Sequence, residues 1–154
     1  MAAKRPTLVD KTPVKVVIIS LDSHLGTAIR AAEADLRRTL PGITLAFHPA
    51  SEWDRNSKTL ARAVEDIGNA DFIFASMLFL EDQIRAVLPA LQARRDSCDA
   101  IVGALSASEV VQLTRLDRFD MSKPASGPIG KTPAGKRHPQ PPGGDAYQHP
   151  GIGD

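Results

Sequence analysis

Apolar residues in this chain form short continuous runs, each followed by a stretch in which apolar residues have helical spacing. The runs are rich in β-branched residues, as in VKVVIISL, and this is typical of strands buried on both faces of a sheet. Four such runs predict four strands, at residues 14–21, 43–47, 71–76 and 100–105.

Between and after these runs, apolar residues recur every three to four positions, as on one face of an amphipathic helix. The spacing predicts four helices, marked by apolar residues within 25–40, 60–67, 84–91 and 110–116. Asn56 or Ser57 is the expected N-cap of the second helix. Pro89 lies inside the third, where it is expected to kink the helix or start its second half. Ser106 and Glu109 have the spacing of a capping box before the fourth.

Alternating strands and helices of this kind predict an α/β domain. We expect a small doubly wound parallel sheet of about four to five strands, flavodoxin-like, with helices on both faces. Ligands of such folds bind outside the carboxyl ends of the strands. The segments to inspect for function are therefore the loops at 22–26, 48–54, 76–82 and 105–108.

Composition divides the chain into three parts. The short, charged segment 1–13 is expected to be a flexible N-terminus. Residues 14–121 form the predicted α/β domain. Residues 122–154 contain seven of the twelve Pro and seven of the eleven Gly. A segment with so few apolar residues cannot offset the entropy cost of ordering, so we predict a disordered tail.

The charge balance excludes several classes of partner. Nineteen Lys and Arg against eighteen Asp and Glu give a net charge of +1, which argues against a nucleic-acid binder.

No apolar run approaches the roughly 20 residues of a membrane span, and no secretory signal is recognisable at the N-terminus. Cys98 is the single cysteine, so a cysteine-based zinc site is excluded. The expected location is the cytoplasm.

The first loop, Asp22 to Gly26, allows two interpretations. It lacks the three glycines of a dinucleotide site and the Lys-Ser/Thr pair of a P-loop. A corrinoid-binding module would use His24 as an axial metal ligand, oriented by Asp22. However, that motif is one residue short here, and only Gly103 stands where a glycine pair is needed. The favoured interpretation is that Asp22 or Ser23 caps the first helix.

Other candidate chemistry in the chain is weak. His48 is expected to be a loop residue packed on the indole of Trp53, and Trp53 to cover the sheet edge with its ring N–H hydrogen-bonded. Pairs of arginines are expected to neutralise helix C-termini: 37–38, 94–95, and 115 with 118. We find no serine or cysteine beside a histidine that would activate it, so no catalytic residue and no metal ligand is assigned.

From about Val14 to Ile129 the chain resembles a known family. The matching motifs are the LDSHL turn, the LPG stop, the loop from His48 to Trp53, the SMLFLEDQI junction, and the RRDSCDA, LTRL and FDM segments. Together they resemble the N-terminal domain of the large, porphyrin-binding (H) subunit of magnesium chelatase. A related large subunit serves cobalt insertion.

The resemblance implies a role in chlorophyll or bacteriochlorophyll synthesis. The family subunit binds protoporphyrin IX and, with two ATP-hydrolysing partner subunits, inserts Mg²⁺ into it. The full subunit is many times longer, so no catalysis is expected from this chain alone, and its partners would be the rest of the large subunit and the two ATPase-type subunits. Asp22, His24 and Trp53 are the candidates for a position near the tetrapyrrole.

Beyond Ile129 the sequence departs from the family pattern and becomes rich in Pro, Gly, Arg and His. A shifted reading frame of GC-rich DNA gives this composition, so we expect a truncated product or a sequencing artefact and not an evolved tail. Two alternatives to a chelatase fragment stay open at this point. One is a module that binds a tetrapyrrole or corrinoid, and the other is a protein-docking domain without enzymatic role.

Overall fold

The structure is a computed structural model that describes residues 11–123. The predicted flexible N-terminus and disordered tail lie almost wholly outside the described residues, so both stay predictions. Within this range, four parallel strands and a short antiparallel hairpin make up the sheet. They are β1 (Val14–Ser20), β2 (Ile43–Pro49), β3 (Phe72–Ser76), β4 (Ala100–Ala104), β5 (Arg115–Leu116) and β6 (Phe119–Asp120).

The strand order is β2-β1-β3-β4-β5-β6, with β1 to β4 parallel and β5 and β6 antiparallel. This order confirms the predicted doubly wound α/β fold. The chain leaves β1 in one direction to form β2 and crosses back to form β3 and β4. The switch point, where ligands of such folds bind, therefore lies between the carboxyl ends of β1 and β3.

Among the described residues, four helices connect and follow the strands: α1 (Gly26–Leu36), α2 (Ser57–Gly68), α3 (Glu81–Arg94) and α4 (Ser108–Val111). Short 3-10 turns at Ser23–Leu25 and Ala50–Glu52 precede the first two. Asn56 caps α2 as predicted, because its side chain accepts a hydrogen bond from the amide of Lys58 at 3.0 Å. Pro89 lies inside α3, which continues past it.

The buried core lies on one face of the sheet. Val17, Ile19 and Ile73 are fully buried and cluster with Ile67 of α2 and Leu91 of α3. In contrast, α1 buries none of its residues completely. Right-handed crossovers place α1 on the opposite face, because the β1–β2 connection runs in the opposite direction to the others. Helices therefore cover both faces, but the face of α2 and α3 holds the core.

The predicted end of the first helix and the predicted fourth helix are both wrong in part. α1 stops at Leu36, and the chain continues through a turn to Leu40, which is 44 % exposed. α4 has only four residues, and Leu116 belongs to β5. The chain turns back after α4 because the Thr114 hydroxyl accepts from the amide of Gly103 and donates to its carbonyl, a pairing across the edge of β4.

The capping box predicted at Ser106 and Glu109 is also wrong. Ala107 is the N-cap of α4, and no side chain caps that helix. The Ser106 hydroxyl instead donates to the carbonyl of Ala104 and accepts from the amide of Leu78. Within residues 11–123, the structure contains no helix long and apolar enough to cross a membrane.

Candidate functional site at the carboxyl edge of the sheet

Asp22 and His24 lie directly after β1, on the edge where the fold predicts ligands. The Asp22 carboxylate accepts a hydrogen bond from the backbone amide of His24 at 2.8 Å and so caps the turn that leads into α1. The capping interpretation is therefore correct only in part: Asp22 caps the 3-10 turn, whereas Leu25 is the N-cap of α1 and no side chain caps that helix. The His24 side chain is exposed and makes no hydrogen bond to another described residue.

The corrinoid interpretation loses support at the end of β4. That motif needs a glycine there because a macrocycle must approach the backbone closely. At Gly103, however, the space is taken by α4, since a Cβ atom would lie 2.4 Å from the carbonyl oxygen of Val110. Gly103 is therefore required for packing of the chain on itself.

The loops after β3 and β4 are joined by three hydrogen bonds. The amide of Met77 donates to the carbonyl of Leu105, and the amide of Ala107 donates to the carbonyl of Leu78. The third is the bond from the amide of Leu78 to the Ser106 hydroxyl. Met77 and Leu105 have φ angles of 57° and 47°, in the left-handed region that non-glycine residues rarely adopt. The joined loops thus hold two strained residues at the ligand-binding edge of the fold.

Large apolar side chains are exposed along this same edge. Leu105 is 78 % exposed and Phe79 57 % exposed, on the loops after β4 and β3. We use the name carboxyl-edge patch for the set of exposed apolar residues in these loops and in the turn after β1: Leu25, Met77, Phe79, Leu80 and Leu105. Clustered apolar exposure of this kind marks interaction surfaces.

A cavity of about 370 Å³ opens at the end of β2. We call it the β2 cavity. It lies between the last residues of β2, the 3-10 turn that follows and the first two turns of α2. Its lining combines apolar and aromatic residues with polar and charged ones: Phe47, His48, Pro49, Glu52, Trp53, Asn56, Lys58, Thr59 and Arg62.

His48 enters the lining of this cavity as part of a charged network. Its Nε2 atom lies 2.7 Å from Oδ2 of Asp66 on α2, and Lys15 of β1 forms an ion pair with the other carboxylate oxygen. Burial raises the pKa of Asp66, but the hydrogen bonds from Lys15 and His48 outweigh it and hold this pKa below its ordinary value. The carboxylate is therefore ionised at neutral pH.

This network was missed in the sequence. His48 was expected in a loop on the indole of Trp53, but it is the sixth residue of β2 and is buried. Asp66 lies 18 residues further along the chain. No local pattern marks this pair, because it forms only when α2 packs beside β2.

Trp53 differs from its expectation in one respect. The residue is only 5 % exposed and belongs to the core cluster. Its ring N–H, however, is one of two side-chain polar atoms in the described part of the chain that are buried without a hydrogen-bond partner, the other being Oε1 of Gln83. The amide nitrogen of Gln83 donates to the carbonyl of Ala50 in the turn before Trp53.

Most of the paired arginines have structural partners. Arg94 donates twice to the carbonyl of Ala70, and Arg95 donates to the carbonyl of Leu113 and to Asp120. The prediction of a helix end at Arg115 is wrong, because this residue lies in β5, where it binds the carbonyls of Arg95 and Cys98. These bonds join the end of α3 to the hairpin.

Comparison with known proteins identifies the family. A family model described as a domain of unknown function, DUF3479, matches residues 15–142. The chain belongs to this DUF3479 family. The match includes every described strand and helix except the first residue of β1. It also continues to residue 142, beyond Ile129, where a departure from the family pattern was expected.

The DUF3479 domain is also similar to longer proteins named as chelatase subunits. It is 46 % identical over 115 residues to the magnesium-chelatase H subunit of Cereibacter sphaeroides, an alignment covering 74 % of this chain and 10 % of the relative. Identity to the magnesium-chelatase H subunit of Rhodobacter capsulatus is 38 % over 126 residues, and the alignment covers 80 % of this chain and 11 % of the relative. The chloroplastic magnesium-chelatase ChlH subunit of Oryza sativa subsp. indica is 31 % identical over 114 residues, covering 71 % and 8 %.

These alignments confirm the resemblance inferred from the LDSHL, SMLFLEDQI and LTRL motifs. The chain spans about a tenth of the length of the relatives that it matches.

Proposed function

We propose that this chain is the N-terminal domain of a magnesium-chelatase porphyrin-binding subunit and has no catalytic activity of its own. The observation that carries the proposal is the 46 % identity over 115 residues to the magnesium-chelatase H subunit of Cereibacter sphaeroides. Because the chain spans a tenth of that relative, insertion of Mg²⁺ into protoporphyrin IX for chlorophyll or bacteriochlorophyll synthesis is proposed for the assembly. The partners in that assembly are the rest of the large subunit and two ATP-hydrolysing subunits.

The carboxyl-edge patch supports a docking role within this assembly. It exposes Phe79 and Leu105 in loops whose backbones are fixed by mutual hydrogen bonds. A rigid, exposed apolar surface favours a permanent interface, since such interfaces are more apolar than the general protein surface. We propose that this patch packs against the remainder of the large subunit.

A segment exchange tests this function. Residues 14–121 would replace the homologous segment of the Cereibacter sphaeroides protein, and Mg²⁺ insertion would be measured with that organism's ATPase subunits. We expect insertion at a rate close to that of the unmodified protein. Deletion of the segment, and exchange of a Phe79→Asp variant, should both reduce it. A folded exchange protein without activity would contradict the proposal.

Contact with the porphyrin is a separate proposal. Asp22 and His24 lie at the edge where ligands of doubly wound folds bind, and the exposed imidazole of His24 is open to a ligand. Trp53 lies after the neighbouring strand, and the turns after β1 and β2 contact each other. We therefore propose these three residues as the part of the domain that lies near the tetrapyrrole.

A titration with protoporphyrin tests this contact. Binding is followed by Soret absorbance and by fluorescence of Trp53, the single tryptophan of the chain. We expect saturable binding that His24→Ala weakens. If the folded domain does not bind, the tetrapyrrole site lies elsewhere in the large subunit and only the docking role is retained.

A further inference from the structure

The β2 cavity has the size and shape of a small-molecule site. Its volume is about 370 Å³, at the lower end of the range of such sites, which suits a ligand of about one or two rings. Phe47, Pro49 and Trp53 supply apolar and aromatic surface, while the polar residues come mainly from the first two turns of α2. This division between an apolar wall and a polar wall favours an amphipathic ligand.

The polar wall is positively charged. Lys58 and Arg62 are four residues apart on α2 and so lie on the same side of the helix. Neither forms an ion pair with another residue in the described part of the chain, although Glu52 also lines the cavity. The positive end of the α2 dipole adds to this charge. Lys58 and Arg62 outnumber the single negative charge of Glu52, so the lining favours an anionic group. The excess of only one positive charge favours a singly charged anion over a doubly charged one.

His48 provides a second, independent feature of the site. Its side chain is only 8 % exposed, yet it lines the cavity. A proton on Nε2 that is donated to the Asp66 carboxylate leaves Nδ1 as the ring atom that can accept a hydrogen bond. Nδ1 has no partner within residues 11–123 and is not fully buried, and the residue lines the cavity.

We propose that the β2 cavity binds a small organic carboxylate with an apolar or aromatic body. In this arrangement Lys58 and Arg62 hold the carboxylate, Phe47 and Trp53 pack against the body, and Nδ1 of His48 accepts a hydrogen bond from a ligand hydroxyl or amine. This site is independent of the chelatase assignment, because it rests only on the lining of the cavity.

Titration of the full chain with 4-hydroxybenzoate tests the proposal, with benzoate, 4-hydroxybenzamide and inorganic phosphate as comparison probes. Binding is followed by Trp53 fluorescence and by the amide NMR signals of Lys58 and Thr59. We expect saturable binding of 4-hydroxybenzoate, weaker binding of benzoate, and binding of 4-hydroxybenzamide weaker by about fivefold. Phosphate should not compete.

Substitutions show where the ligand binds. Lys58→Gln and Arg62→Gln should each weaken the binding of 4-hydroxybenzoate by about fivefold. Lys58 and Arg62 are exposed, so neither substitution threatens folding. Arg38 is an exposed arginine in the turn between α1 and β2, before the amino end of β2 and away from the cavity lining, so Arg38→Gln is the matched control and should have no effect. The proposal would be overturned if 4-hydroxybenzamide bound as tightly as 4-hydroxybenzoate, or if the signals did not saturate. It would also be overturned if the Lys58, Arg62 and Arg38 variants all bound 4-hydroxybenzoate equally.

Discussion

His48 Nε2 lies 2.7 Å from Oδ2 of Asp66, and this contact joins β2 to the last turn of α2. Lys15 binds the same carboxylate from β1, so a single side chain connects three neighbouring elements. The same contact orients the ring of a histidine that lines the β2 cavity. Stability and the geometry of the candidate site therefore depend on the same group.

The first prediction concerns removal of this carboxylate. Asp66→Asn should lower the free energy of unfolding by about 2 kcal/mol, because it leaves Lys15 and His48 partly buried without their anionic partner. Urea unfolding at pH 7 measures the change. Asp35→Asn is the control, since Asp35 is exposed and forms only a 3.7 Å ion pair with Arg38, and its effect should be close to zero. Equal effects of the two variants would show that the network adds no stability.

The second prediction concerns acid. The folded-state pKa of Asp66 lies below its unfolded value, and hydrogen bonds from Ser122 together with Arg95 likewise lower the pKa of Asp120. Groups with depressed pKa values stabilise the fold above the unfolded pKa of about 3.9, and this stabilisation is lost as pH falls towards the folded pKa. The free energy of unfolding should therefore decrease as the pH is lowered below about 5.

Urea titrations at successive pH values measure this acid dependence. The slope of the free energy of unfolding against pH should be smaller in Asp66→Asn but not zero, because Asp120 still titrates. If the variant and the unmodified chain have the same slope, Asp66 does not contribute to the acid dependence.

The third prediction concerns Gly103. Gly103→Ala should destabilise the domain by at least about 2 kcal/mol, because the new Cβ would lie 2.4 Å from the backbone oxygen of Val110 and the two segments would have to separate. Gly68→Ala is the matched control, since a Cβ at Gly68 would meet no atom within 4 Å. That change should raise stability by about 0.5 kcal/mol through the unfolded state. Thermal unfolding compares the two, and similar shifts in Tm would contradict the packing role of Gly103.

The parts of the fold that the sequence predicted are those encoded by local pattern. The strands β1 to β4, the second and third helices and the cap at Asn56 each follow from residues within one segment. The hairpin of β5 and β6 was missed because Val110, Leu113 and Leu116 have helical spacing, whereas the bonds of Thr114 to Gly103 that turn the chain join residues 11 apart.

The site residues show the same division. The Asp22 cap is a contact across two residues and was predicted, although it caps the 3-10 turn and not α1. The pair of His48 and Asp66 depends on the packing of α2 beside β2 and was not predicted. The positive φ angles of Met77 and Leu105 also carry no sequence signal, because leucine and methionine do not favour that conformation. Such residues are the places where function is expected to have overridden local preference.

The fourth prediction separates stability from function at Leu105. This residue has a φ of 47° and is 78 % exposed, so its side chain contributes strain and little packing to the isolated domain. Leu105→Asn should stabilise the isolated domain by about 1 kcal/mol, because asparagine tolerates the left-handed conformation. Urea unfolding checks this, with Leu40→Asn as the control at an exposed leucine that does not have positive φ.

In the chelatase segment exchange, the same Leu105→Asn change should lower Mg²⁺ insertion, because it removes the most exposed apolar side chain of the carboxyl-edge patch. Leu40→Asn should leave insertion unchanged. A gain in stability together with a loss of insertion would mean that the strain at Leu105 is retained for docking. A gain in stability with full insertion would remove Leu105 from the proposed interface.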